Sequence, residues 1–150
     1  MKAGKDFIGL GCGALVINDR NEVLLLRYSD SSRTDPGMWA RPGGQVEFGE
    51  EGARAAEREV EEETGVKVSI VRPLEFTEIV DSGNARHWVA LGFLARYVSG
   101  APKIMEPDKH VEIGWFSLDS LPKNLTHYTR NSIDAFLGSK PKKRQKLSRF

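Results

Sequence analysis

Apolar residues dominate "FIGLGCGALVI" and return in "EVLLLRY", with the polar "NDRN" between them. This pattern predicts two strands around a turn at Asn18–Asn21. A polar stretch, "SDSSRTDPGM", reads as a loop with a Pro-Gly turn that ends at Trp39. From about Glu50 to Thr64 the period changes. Ala53, Ala56, Val60 and Thr64 recur at spacings of three and four, which predicts a helix with one narrow face of small residues. Gly65 stands where a left-handed C-terminal cap favours glycine. "VKVSIVRPLEFTEIV" and "RHWVALGFLARYV" predict long strands separated by the turn signal "DSGN" at Asp81–Asn84. "EIGWFSL" predicts a further short strand, and "THYTRNSIDAFL" an amphipathic helix with apolar Tyr128, Ile133, Phe136 and Leu137. Strands, helix, strands, helix is the order of an α/β domain with helices on both sides of a mixed sheet.

Length and composition narrow this little further. The 150 residues suit one domain, with 39% hydrophobic and 29% charged positions typical of a soluble globular chain. No apolar run reaches the length of a membrane span, and the N-terminus lacks a signal-peptide pattern. The single cysteine, Cys12, lies among apolar residues and glycines and reads as a buried, inert thiol. These points favour a reducing cytoplasm. Charge adds an asymmetry: the net +1 includes six Lys/Arg and no acid in "KPKKRQKLSRF", so the rest of the chain is acidic. The division is a domain over 1–139 and a basic, disordered tail over 140–150. An acidic body does not resemble a nucleic-acid binder, so no nucleic-acid or membrane partner is expected.

The chemistry concentrates in the first helix. Eight glutamates fall between Gly43 and Val66. At helical spacing Glu59, Glu62 and Glu63 stand at i, i+3 and i+4 and form one patch beside the small-residue stripe. A like-charged i,i+4 pair costs roughly 0.2–0.5 kcal/mol in an isolated helix. Glu50 and Arg54 can neutralise one another, while the patch has Arg58 as its nearby cation. A solvated acidic face is the bland explanation. A hard divalent cation is the other: Mg²⁺ takes carboxylate oxygens and completes its shell with water and substrate phosphates. The Gly43–Gly44 pair lets backbone approach such a ligand closely.

Spacing decides between them. Gly44, Glu50, Arg58, Glu59, Val60, Glu62, Glu63, Gly65 and Val66 fit the pattern Gly-x5-Glu-x7-Arg-Glu-apolar-x-Glu-Glu-x-Gly-apolar, nine defined positions over 23 residues. This resembles the Nudix box. "WARPGGQVEFGE" resembles the family's approach to the box, except that Arg41 stands where an apolar residue is common. "WFSLDSLP" resembles its closing strand and turn. The resemblance covers about Phe7 to Leu137.

It implies a Nudix α/β/α sandwich that cleaves a nucleoside diphosphate linked to another group, using Mg²⁺ or Mn²⁺. By position, Glu59, Glu62 and Glu63 would be metal ligands and Glu59 a candidate general base, with the Gly43 carbonyl a further ligand. Glu50 and Arg58 would orient the helix and its carboxylates. An acid from a later loop, Glu106 or Glu112, would join them, and Arg27 matches a phosphate-contacting arginine. Gly44 would lie against the substrate. Beyond the box, the proline that marks ADP-ribose hydrolysis is replaced by Asp81. The tyrosine that marks diadenosine polyphosphates is also missing, with Ser82, Gly83 and Asn84 in its place. "RHWVALGFLAR" and "EPDKHVEIGWF" look more like the small (deoxy)nucleoside triphosphate diphosphatases, oxidised-purine sanitisers among them.

The expectation is therefore Mg²⁺-dependent hydrolysis of a nucleoside triphosphate to monophosphate and pyrophosphate. His87 and Trp88 are nominated near the base and Phe48 as a third. Strand alternation allows only one of His87 and Trp88 to face the site. His110 and His127 read as surface residues, and a homodimer is compatible with the family. The alternatives are hydrolysis of ADP-ribose, a nucleotide sugar or capped RNA, and a catalytically silent nucleotide sensor.

Overall fold

The computed structural model describes residues 1–138, so the basic tail lies outside the described residues. Among these, the chain forms β1 (Gly9–Ile17), β2 (Glu22–Tyr28), β3 (Trp39–Ala40), β4 (Gly43–Gln45), α1 (Gly52–Thr64), β5 (Lys67–Asp81), β6 (Arg86–Ser99), β7 (His110–Ser117) and α2 (His127–Leu137). The strands make one mixed sheet in the order β3-β2-β1-β6-β5, with β4 paired to β1 and β7 to β2. β1 runs parallel to β6 along its whole length, from Gly9 opposite Trp88 to Ile17 opposite Arg96. β1 and β2 meet only beside their turn, at Ile17 and Val23, and then diverge to different partners.

Alternation along β1 and β2 builds the layers, because successive side chains point to opposite faces of a strand. Cys12, Ala14, Val16 and Leu24 pack with Ala55, Ala56 and Val60 of α1. Leu15, Val23 and Leu25 pack on the other side with Leu125 and with Ile133 of α2. The sheet therefore lies between helices, the α/β/α sandwich the sequence pattern predicts. Among the described residues no helix is long and apolar enough to cross a membrane.

Three local readings need correction. α1 begins at Gly52, not Glu50, because Glu50 belongs to the preceding turn, where its backbone N–H donates to Glu47. Its buried face includes Ala55 and Glu63 beside Ala56, Val60 and Thr64, with Ala53 only partly buried. The stretch from Trp39, for which the sequence pattern predicts no element, supplies the short strands β3 and β4, whose two and three residues leave no periodicity to read. β7 begins at His110, so that histidine is 2% exposed instead of lying on the surface. His127 is exposed, as expected.

The caps of α1 set up the site. Gly65 adopts φ 73° and its N–H returns to the Glu61 carbonyl, which stops the helix one residue after Thr64. Thr64 Oγ1 donates to the Val60 carbonyl and accepts from the Val66 N–H, tying the helix end to the start of β5. The acidic face of α1 is thereby fixed against β4.

Candidate active site

Arg58 organises the acids. Its Nε donates to Glu50 Oε2 at 2.8 Å and its Nη2 to Glu50 Oε1 at 2.9 Å, a bidentate pair. Nη1 reaches Glu59 Oε1 at 2.9 Å and Glu62 Oε2 at 3.2 Å, and Nη2 also donates to the Gln45 carbonyl at 3.0 Å. The hydrogen bond to Glu50, above all, raises the Arg58 pKa and holds the Glu50 carboxyl below its usual range. One guanidinium thus binds α1 to the turn before it and draws together three carboxylates. Arg58→Leu should lower the melting temperature in chelator by roughly 3–6 °C, since three acids lose their common cation. Added Mg²⁺ should restore part of that loss, which differential scanning fluorimetry with and without the ion would show.

Glu63 is held separately. Its side chain is 3% exposed; Oε1 accepts the Gly43 N–H at 2.8 Å and Oε2 accepts Lys109 Nζ at 2.7 Å. Burial still raises its pKa, with Lys109 acting in the opposite direction. Burial likewise raises that of Glu59, opposed by Arg58 and reinforced by Glu62. Desolvation outweighs the partners in both, so each charge is expensive to hold.

Glu106 and His110 also converge on Glu63: one ligand atom from each of the three lies within 4.8 Å of the others. A turn arranges this, because the Glu106 carbonyl accepts both the Lys109 and the His110 N–H groups at 3.0 Å. His110 Nε2 stands 3.7 Å from Glu63 Oε2, while its Nδ1 is buried without a hydrogen-bond partner among the described residues. Burial and the neighbouring Lys109 push the His110 pKa down to about 4, so the imidazole is neutral at neutral pH.

This donor set fits a hard divalent cation. Glu63 and Glu106 converge with His110, while the partly buried Glu59 and the exposed Glu62 are drawn to Arg58. Burial opposes the charge of Glu59 and Glu63. The carboxylates suit Mg²⁺ or Mn²⁺, and the neutral imidazole beside them is a softer donor than Mg²⁺ prefers.

Next to the acids a cleft of about 320 Å³ opens. Gly43, Gly44, Gln45 and Lys109 form its acidic-site end, while Tyr28, Ile79, Trp88, Ala90 and Tyr128 supply apolar and aromatic walls. Trp88 lines this cleft and His87 does not, consistent with opposite faces of β6. Trp88 lies flat over Gly4 and Gly9, where any Cβ would overlap the indole. Gly44 is close enough to Glu59 that a Cβ there would overlap the carboxylate.

The other nominated residues lie elsewhere. Phe48 is fully exposed and does not line the cleft. Arg27 pairs with Glu112 at 2.7 Å and with Asp30 at 3.4 Å across β2 and β7, so Glu112 stands with Arg27 and Glu106 is the later acid beside Glu63. Lys109 and His110 escaped the sequence reading. Their signal is the turn "EPDKH", which places Glu106 and His110 four residues apart just before a strand. Cys12 is 3% exposed at the cleft floor, and burial pushes its thiol up to about 11, the inert group expected.

Comparisons with known proteins agree with this arrangement. The family model described as NUDIX domain matches residues 8–136. The NAD-capped RNA hydrolase NudC of Pseudomonas aeruginosa (strain LESB58) is 38% identical over 110 residues, 72% of this chain and 36% of that protein. The 8-oxo-dGDP phosphatase NUDT18 of Mus musculus is 31% identical over 114 residues, 75% of this chain and 33% of that protein. The chain thus spans about a third of the length of these curated relatives. Among solved structures, a MutT NUDIX hydrolase from Burkholderia pseudomallei superposes with a TM-score of 0.79 at 38% identity, covering 87% of this chain and 98% of that one.

Proposed function

Because the chain belongs to the Nudix family, we propose that it is a Mg²⁺- or Mn²⁺-dependent hydrolase that converts a nucleoside triphosphate to monophosphate and pyrophosphate. The observation that carries this reading is the joining of two environments. Gly43, Gly44 and Lys109, which line an aromatic-walled cleft, also touch Glu63 and Glu59, two carboxylates whose charge burial opposes. At about 320 Å³ the cleft is at the small end for ligand sites, which favours one nucleotide over a larger conjugate.

Glu59, Glu62, Glu63 and Glu106 would hold the ion, with the Gly43 carbonyl and His110 as further donors. An ion bound there supplies positive charge that lowers the pKa of a water and offsets the charge on phosphoryl oxygens. The protein's own residues do the rest. Glu59, whose pKa burial lifts above that of an exposed glutamate, would accept the proton of the attacking water. Arg58 holds that carboxylate in position through Nη1. Lys109, at the junction of acids and cleft, offsets the charge of Glu63 and offers Nζ to a phosphate oxygen. Trp88, Tyr28 and Ile79 exclude water from the nucleoside end.

Cleavage of a capped or dinucleotide substrate is the second reading, favoured by the likeness to the NAD-capped RNA hydrolase. A panel of dNTPs, oxidised dNTPs, NTPs, ADP-ribose, NAD and nucleotide sugars with Mg²⁺ separates the two when products are resolved by ³¹P NMR. The expected result is monophosphate plus pyrophosphate from triphosphates at the highest kcat/KM. Faster release of two monophosphates from NAD would replace the first reading by the second.

A further inference from the structure

Gly9 of β1 is the register partner of Trp88 on β6, and Gly4 lies in the turn ahead of β1. Both glycines are buried. A Cβ built on Gly9 would come within 2.5–2.7 Å of indole Cε3, Cζ3 and Cδ2. One built on Gly4 would overlap Nε1, Cε2 and Cζ2. Atoms of both rings are met, so the indole lies across two stretches of bare backbone.

The turn under the ring is fastened in place. The Gly4 carbonyl accepts the His87 N–H at 2.8 Å, which ties it to β6 at the residue before Trp88. The Gly4 N–H donates to the Phe7 carbonyl at 2.7 Å. Asp6 Oδ2 accepts the Lys2 backbone nitrogen at 2.6 Å, and the Asp6 N–H returns to the Lys2 carbonyl at 2.8 Å. Gly4 has φ 78°, a conformation that glycine adopts without steric cost. Trp88 itself is only partly buried and lines the cleft beside Ile79, Ala90 and Tyr128. One face of the ring rests on the glycines, so the opposite face is the one it offers to the cleft.

We infer that Gly4 and Gly9 are positioning residues for nucleobase binding: they hold the Trp88 indole flat, and its outward face is the platform on which the base stacks. An aromatic platform reads the π-face that every base possesses, so binding at this wall comes from stacking and tolerates different bases. The turn before β1, outside the box, thereby becomes part of the binding wall. This inference rests on the cleft being the nucleotide site of the proposed hydrolase, but it concerns binding and not the chemical step.

The test is equilibrium binding of adenosine 5′-monophosphate and ribose 5-phosphate to the full chain, in chelator, by calorimetry. The nucleotide should bind about tenfold more tightly than the sugar phosphate, the contribution of one stacked base. Gly9→Ala, at a position of ordinary strand backbone, and Gly4→Ala should each weaken the nucleotide about fivefold and leave ribose 5-phosphate unchanged. A role in folding alone would weaken both ligands together or neither. Trp88→Ala should abolish the preference, and adding Gly9→Ala to it should cost no further nucleotide affinity, because the glycine acts through the ring. Circular dichroism checks each fold, and Gly4→Ala decides if Gly9→Ala does not fold. Equal affinity of the wild type for the two ligands, or binding of neither, overturns the inference whatever the variants do. So does a folded glycine variant that keeps the full preference, or a further loss when Gly9→Ala is added to Trp88→Ala. Turnover does not enter this titration, so the hydrolase reading and the stacking reading fail separately.

Discussion

Glu59→Gln and Glu63→Gln should each cut Mg²⁺-dependent turnover by about a hundred- to a thousandfold, and neither should unfold the protein. The loss follows from charge, because glutamine keeps the shape of the side chain but can neither neutralise a divalent ion nor take a proton. The stability half follows from burial. In both native residues desolvation lifts the pKa against the pull of Arg58 or Lys109, so the folded chain bears a cost for each ionised carboxylate. Removing the charge relieves that cost. In chelator, the melting temperature of Glu59→Gln should equal or exceed that of the wild type, the pattern of a site that trades stability for function. Glu63→Gln offers one acceptor oxygen to the two donors that Glu63 receives, so the Gly43 N–H or Lys109 Nζ then faces the amide NH2. Its melting temperature in chelator should fall by a few degrees without loss of the fold. Mg²⁺ should then stabilise the wild type far more than either variant. Unchanged turnover in either variant would remove that residue from the mechanism, and a cooperative loss of fold would show that its role is structural. Steady-state kinetics and thermal melts on the same preparations read both halves.

The parts of this site that the sequence displayed are those held on one helix. Glu59, Glu62 and Glu63 lie within a turn and a half of each other, so helical geometry alone brings them together. Arg58 and Glu50 are eight residues apart across a turn that the box spacing preserves, and their bidentate pair follows from it. The layering was legible from the order of strands and helices, but not which residues face each layer, because the runs Ala14–Val16 and Val23–Leu25 are apolar at every position and pack on both sides.

What escaped depends on sheet topology. Arg27 and Glu112 meet because β2 pairs with β7, two strands separated in sequence by most of the domain, and no local pattern states that pairing. The same register carries His110 opposite Tyr28 and into the interior next to Glu63, so a histidine without a visible partner becomes a candidate ligand. Arg41 was visible only as an oddity. Its partners, Thr129 and Ser132, come from α2, nearly ninety residues downstream. β3 and β4 were invisible for a different reason: two or three residues are too few to show an alternation, and their placement comes from the strands beside them.

Alanine at the two neighbouring glycines of β4 should separate fold from chemistry. At Gly43 an added Cβ would overlap the Cys12 carbonyl oxygen and come within 2.9 Å of Gly13 Cα, both backbone atoms of the paired strand β1. Backbone cannot swing aside as a side chain can, so β4 must move off β1. Gly43→Ala is expected to cost about 2–3 kcal/mol, a fall of roughly 5–10 °C in melting temperature with or without Mg²⁺. At Gly44 the atoms met are the carboxylate of Glu59, the far end of a flexible side chain. Glu59 can rotate away, so Gly44→Ala should melt within about 2 °C of the wild type in chelator. Its rotation removes the carboxylate from its bond to Arg58 and from its place beside Gly44. Turnover should therefore fall by about a hundredfold, approaching Glu59→Gln, and the double variant should be little worse than either alone. Additive losses in the double variant would mean that Gly44 contributes through its own approach to the substrate and not through Glu59. A Gly44→Ala enzyme of wild-type activity would show that the carboxylate works from some other position. The pair of melts and the double-mutant kinetics together locate the effect, since a Cβ at Gly44 meets only the Glu59 side chain whereas one at Gly43 meets the backbone of β1.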